Sequence, residues 1–131
     1  MRFTEHELTA ALHGAAKSVL AVQDKSVRKG RRSVDEAWAA LAPYARFTLL
    51  DGIGDQLLPV LVSLPDVEVE PGTRPSFTDE QIAAAVEERM GSEKGIRRAV
   101  VVKARTALVK AALAHVPPRQ DPDALIVPDH L

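Results

Sequence analysis

Three times in this chain a hydroxyl residue stands three positions before a Glu or Gln at the head of an apolar run: Thr4 with Glu7, Ser33 with Glu36, and Thr78 with Gln81. Each pair can close a capping box, in which the hydroxyl accepts the backbone N–H three residues on and the longer side chain reaches back to the cap's own N–H. Phe3 and Phe77 precede two of these caps, with Leu8 and Ile82 placed to staple onto them. A chain punctuated this way is committed to helices.

The spacing of apolar residues fills in the rest. Leu8, Leu12, Ala15, Val19 and Val22 recur every three or four residues from Thr4, giving a first helix expected to end near 25–28. Ser33 opens a short helix burying Trp38 and Leu41, and Pro43 closes it while suiting the first position of the next. Phe47, Leu50, Gly54, Leu57, Leu61 and Leu64 continue at helical spacing through two glycines and Pro59, which predicts a broken or kinked pair of helices near 43–51 and 55–64. Asp79 to about Met90 forms a further helix burying Ile82, Val86 and Met90. From about Gly95 to His115 apolar residues occur on nearly every side, the pattern of a helix surrounded by others and central to the bundle.

Between these helices, Pro65, Pro71, Gly72 and Pro75 punctuate an alternating Val67-Glu68-Val69-Glu70, an extended connector over 65–76. Pro117-Pro118 open a tail over 117–131 whose Leu125-Ile126-Val127 is apolar enough to dock on the body, or to pair with 67–70 as a short two-stranded ribbon. The expectation is one all-α domain over 1–131, a compact bundle of five to six helices with an extended connector and an extended tail. At 131 residues and 46% hydrophobic content it can bury a core without metal or disulfide staples.

Composition narrows the chemistry. With no cysteine, disulfides, thiol catalysis and Cys-based zinc sites are excluded, which fits a reducing, cytoplasmic setting. The first residues lack the apolar stretch of a signal peptide, and no apolar run approaches a membrane span, so no membrane partner is expected. Arginine and alanine usage resembles that of GC-rich bacterial genomes. His6 and His13 share a helical face but lie roughly 10 Å apart along the axis, too far to share one zinc ion. His115 suits a helix C-terminus, and His130 stands in the tail. No metal or cofactor is expected.

Charge is sorted into blocks. Residues 51–93 hold ten acidic side chains against two basic ones, while residues 94–119 hold seven basic and no acidic, although the whole chain has a formal net charge of only −1. The two blocks fall on consecutive helices and are expected to pair across the turn between them. Lys25, Arg28, Lys29, Arg31 and Arg32 form a separate basic loop with no acidic neighbour across a turn, a candidate for binding phosphate or nucleic acid, assisted by the N-terminus of the helix that follows. Few aromatics are present for base stacking, and that loop can equally pair with acids from elsewhere.

Other motifs carry less. Asp51-Gly52-Ile53-Gly54-Asp55 lacks the alternating ligands and later Glu of a calcium loop and the lysine of a phosphate cradle, and reads as a glycine hinge with Asp55 as an N-cap. A helix-turn-helix over 44–64 would have an apolar recognition helix containing Pro59. Neither a Gly-x-Ser-x-Gly elbow nor a Ser-x-x-Lys motif occurs, so the balance falls against an enzyme. The leading expectation is a small helical protein acting through a protein partner or a second copy of itself. Leu57, Leu61, Leu125, Ile126 and Val127 are its candidate contacts, with plain core packing the competing account.

Overall fold

The computed structural model describes residues 1–92 and 94–119. Six helices follow in order: α1 Glu5–Gln23, α2 Lys25–Arg28, α3 Val34–Ala40, α4 Pro43–Ser63, α5 Asp79–Glu88 and α6 Gly95–Leu113. No strand occurs among the described residues. All three capping boxes form. Thr4 Oγ1 accepts from Glu7 N at 3.1 Å, Ser33 Oγ from Glu36 N at 3.0 Å and Thr78 Oγ1 from Gln81 N at 3.1 Å, each with the reciprocal bond in place.

The bundle is built on α1, which packs against α4 on one side and α6 on the other, with α5 laid across α6 and α4. α2 and α3 pack mainly on α1. Leu57, Leu61 and Val60 of α4 meet Val86 of α5 and Val109 and Ala112 of α6 in the core. The buried face of α1 is rotated from the expected stripe: its centre is Ala11, Gly14, Ala15 and Ala16, with Leu8, Leu12 and Val19 at the edges and Val22 outside. Small residues at that centre let neighbouring helices approach closely. A Cβ at Gly14 would fall well inside contact distance of the His115 ring.

α4 runs unbroken where a broken pair is expected. Pro59 sits inside it and forfeits one backbone hydrogen bond, but Ile53, Leu57, Val60 and Leu61 lie buried to either side of the proline and keep the helix continuous across it. Gly54 is buried inside the continuous helix, where a Cβ would meet Leu12 Cδ1 at an ordinary contact distance of 3.7 Å.

α6 also departs from expectation. Only Val109 and Ala112 of this helix are buried, and Ile96 and Val100 are 85% and 60% exposed. Its C-terminal half contributes Val109 and Ala112 to the core; its N-terminal half keeps an apolar face in solvent.

Polar contacts tie Met1 to the end of α4 and Arg119 to the connector. The Met1 amino group donates to the carbonyls of Val62 and Leu64 and lies 3.7 Å from the Asp66 carboxylate. Residues 67–70 form no strand, and 125–127 lie outside the described residues. The connector instead pairs one turn further on, where Gly72 N donates to Arg119 O and Arg119 N donates to Thr73 O, both at 2.7 Å.

Candidate functional site

The basic loop is shaped by its own backbone. Asp24 caps α2, accepting from Ser26 N at 2.8 Å and Val27 N at 3.2 Å. Gly30, at φ 71°, closes the turn: Arg31 N bonds back to Ser26 O and Gly30 N to Val27 O, the pairing of a Schellman motif. Arg32 folds onto this cap, donating to Asp24 Oδ2 at 2.9 Å and Ser26 Oγ at 2.7 Å. The Ser26 hydroxyl, followed by Arg32 and the capped N–H groups, holds the Asp24 carboxyl down at about 2. Arg32 is therefore already neutralised. Lys25, Arg28, Lys29 and Arg31 are exposed and form no ion pair with a described residue. The N-terminus of α3 does not assist them, because Ser33 and Glu36 occupy its cap and Asp35 and Glu36 place carboxylates in its first turn.

His13 is half-buried and meets the Trp38 ring edge-on at 5.9 Å, joining α1 to α3 rather than standing in solvent. Among the described residues no cluster of His, Asp or Glu is arranged to hold a metal ion.

Among the described residues Glu7 is the one buried charged residue, 3% exposed. Arg119 grips it with two bonds, NH2 to Oε1 at 2.7 Å and Nε to Oε2 at 3.2 Å. Burial raises the Glu7 pKa, but the Arg119 bonds and charge together with the Thr4 backbone N–H outweigh it, and the net shift is downward. Both oxygens are occupied, so Glu7 clamps the chain after α6 onto the start of α1. Nothing near it in sequence marks this role.

Of the expected contact residues, Leu57 and Leu61 are fully buried, at 0% exposure, and form the core. A partner could reach them only by opening the bundle. Leu125, Ile126 and Val127 lie outside the described residues.

A different apolar surface is open. Two grooves share Val19, Gln23 and Leu108 and so run into one another. The larger, about 720 Å³, lies between the end of α1 and the first half of α4, with Tyr44, Leu49 and Gly52 on the α4 wall. The smaller, about 300 Å³, lies between α1 and α6, walled by Val22, Ala104, Ala107 and Ala111. Tyr44 is 79% and Val22 71% exposed. Pro43 sets the start of α4, and Arg46 donates to the carbonyls of Trp38 and Ala39 at 3.2 and 3.3 Å, fixing the α3–α4 corner that carries Tyr44. No carboxylate lines either groove, whereas three neighbouring clefts contain Glu7, Asp51 with Asp55, or Asp79 with Glu87.

Periodicity misassigns Val22, which it places in the buried stripe of α1. Tyr44 carries no periodic signal, although a large aromatic in the first turn after a helix-opening proline is a hint of a surface role.

Comparison with models of known protein families, with curated proteins and with solved structures gives no match for this chain. Among the described residues no helix is long and apolar enough to cross a membrane.

Proposed function

We propose that this chain acts through protein–protein contact, as a small helical module whose binding face is the groove between α1, α4 and α6. The observation that carries this reading is the run of uncovered apolar surface from Tyr44 to Val22, preformed and free of carboxylates. Exposed apolar ground of this kind marks interaction sites, and a cleft between helices suits an amphipathic helix laid into it. A second copy of the chain is one occupant of that type. The cysteine-free, arginine- and alanine-rich sequence supports a cytoplasmic, bacterial setting for it.

The test pairs sedimentation velocity over a concentration series with fluorescence anisotropy of a labelled amphipathic helical peptide carrying a leucine seam and glutamine flanks. A Cβ at Gly52 meets nothing within 4 Å, so Gly52→Leu fills the larger groove without disturbing the core. Self-association or peptide binding is expected in the parent chain and is lost in Gly52→Leu and Tyr44→Glu. A parent chain that stays monomeric and ignores the peptide contradicts the reading, as does binding that both substitutions leave intact.

A second reading, anion binding at the basic loop, keeps the support of four exposed cations, Lys25, Arg28, Lys29 and Arg31, that form no ion pair with a described residue. Retention on heparin that falls with salt and is lost in Arg28→Ala/Arg31→Ala is its expected signature, and salt-insensitive elution contradicts it.

A further inference from the structure

The lining of the two grooves is uncharged, but α6, which forms one wall, carries cations beside it. α6 carries five cations, Arg97, Arg98, Lys103, Arg105 and Lys110, and no acid from Gly95 to Leu113. Only part of this charge is met inside the molecule: Lys110 pairs with Asp79 of α5 at 3.0 Å, while Arg97 and Lys103 are exposed and form no ion pair with a described residue.

Their position relative to the apolar surface is fixed by helical geometry. Val100, Ala104, Ala107 and Ala111 follow one another at intervals of four, three and four, the spacing of a helix–helix seam. Three of these line the groove against α1, and Val100, 60% exposed, extends the line toward Ile96 at 85%. At about 100° per residue, Arg97 falls on one edge of this seam and Lys103 on the other. The face is thus an apolar strip bordered by Arg97 and by Lys103, the latter also lining the cleft of Asp79 and Glu87, with the carboxylate-free groove beside it.

We infer that the occupant of this groove is an acidic amphipathic helix of a partner protein, its apolar side chains along Val100 to Ala111 and its flanking carboxylates against Arg97 and Lys103. This rests on the groove being the binding face. It goes beyond that reading by naming the partner's chemistry. Charge complementarity selects this occupant over a second copy, since a symmetric pairing of α6 with α6 sets two all-basic helices against each other. An acidic helix satisfies both cations and gains on-rate from the same field.

The experiment uses the full chain and three labelled helical peptides that share one leucine seam and differ only in flanks of Glu, Gln or Lys, read by fluorescence anisotropy at low and at raised ionic strength. The Glu-flanked peptide is expected to bind about tenfold or more tighter than the Lys-flanked one, with the gap narrowing as salt rises. Arg97→Glu/Lys103→Glu is expected to reverse that order, and Val100→Glu to weaken all three. Both alter exposed positions, and unchanged circular dichroism confirms that the fold is retained. Equal affinity for the three peptides overturns the acidic partner while leaving the groove as the binding face. A parent chain that dimerises through this groove, with dimerisation lost in Val100→Glu, also overturns it. Failure of every peptide to bind a strictly monomeric chain removes the groove reading itself.

Discussion

Glu7 is the residue on which most of the molecule's closure depends. It caps the first turn of α1 and at the same time receives Arg119, whose peptide group is bonded to the connector at Gly72 and Thr73. Glu7→Gln leaves a partly buried guanidinium without its counter-charge and is expected to cost about 1–3 kcal/mol at neutral pH, measured by urea unfolding. Because the Glu7 pKa is lowered from 4.5 on folding, its contribution is present above that value and is lost as the pH falls through the lower, folded one. The deficit of Glu7→Gln relative to the parent is therefore expected to shrink as the pH falls below 4.5. A deficit that is constant from neutral pH into acid would show that the carboxylate's charge is not what stabilises the clamp. Gly14 is the other constrained position. Gly14→Ala drives a methyl into the His115 ring and is expected to cost about 1–3 kcal/mol. His115→Ala in the same chain should recover part of that, so a double-mutant cycle that comes out additive contradicts the contact.

At the scale of the element, caps and periodicity made the helices legible, and tertiary packing decided where they stop. Thr4, Ser33 and Thr78 start their helices as their sequences require, because a capping box is satisfied within four residues. Asp24 ended α1 earlier than its apolar spacing implied, since its side chain bonds forward to Ser26 and Val27 and opens α2 instead. The unbroken course of α4 was not legible: the rule for proline is local, while the apolar contacts that override it come from α1, α5 and α6. The same limit hid the uncovered half of α6, because an all-round apolar pattern says a helix wants neighbours and not how many it receives. Gly52 offers a clean test at this scale. It sits in the helical interior of α4 with open space at its Cβ position, so Gly52→Ala is expected to raise stability by about 0.5–1 kcal/mol. A decrease would mean that α4 needs the glycine for a bend, restoring the hinge that the sequence suggested.

Across the whole molecule the charge blocks turn out to be only partly self-satisfying. The acidic and basic helices do lie side by side, and Asp79–Lys110 joins them, but Arg97 and Lys103 have no counterpart among the described residues. Net charge near zero concealed this, as it concealed the four exposed cations of the basic loop, because a sequence shows which charges are near one another along the chain and not across the fold. The candidate contacts were misplaced for a related reason: Leu57 and Leu61 have the composition of an interaction patch and are the centre of the core. What the fold leaves uncovered is instead a groove between three helices with a basic edge. The most direct measurement is an amide chemical-shift map of the full chain titrated with the Glu-flanked helical peptide. Progressive shifts confined to the surroundings of Val22, Tyr44, Val100 and Ala107 are the expected result. Shifts centred on 25–32 or on the outer face of α5, with the groove residues unmoved, would contradict the account.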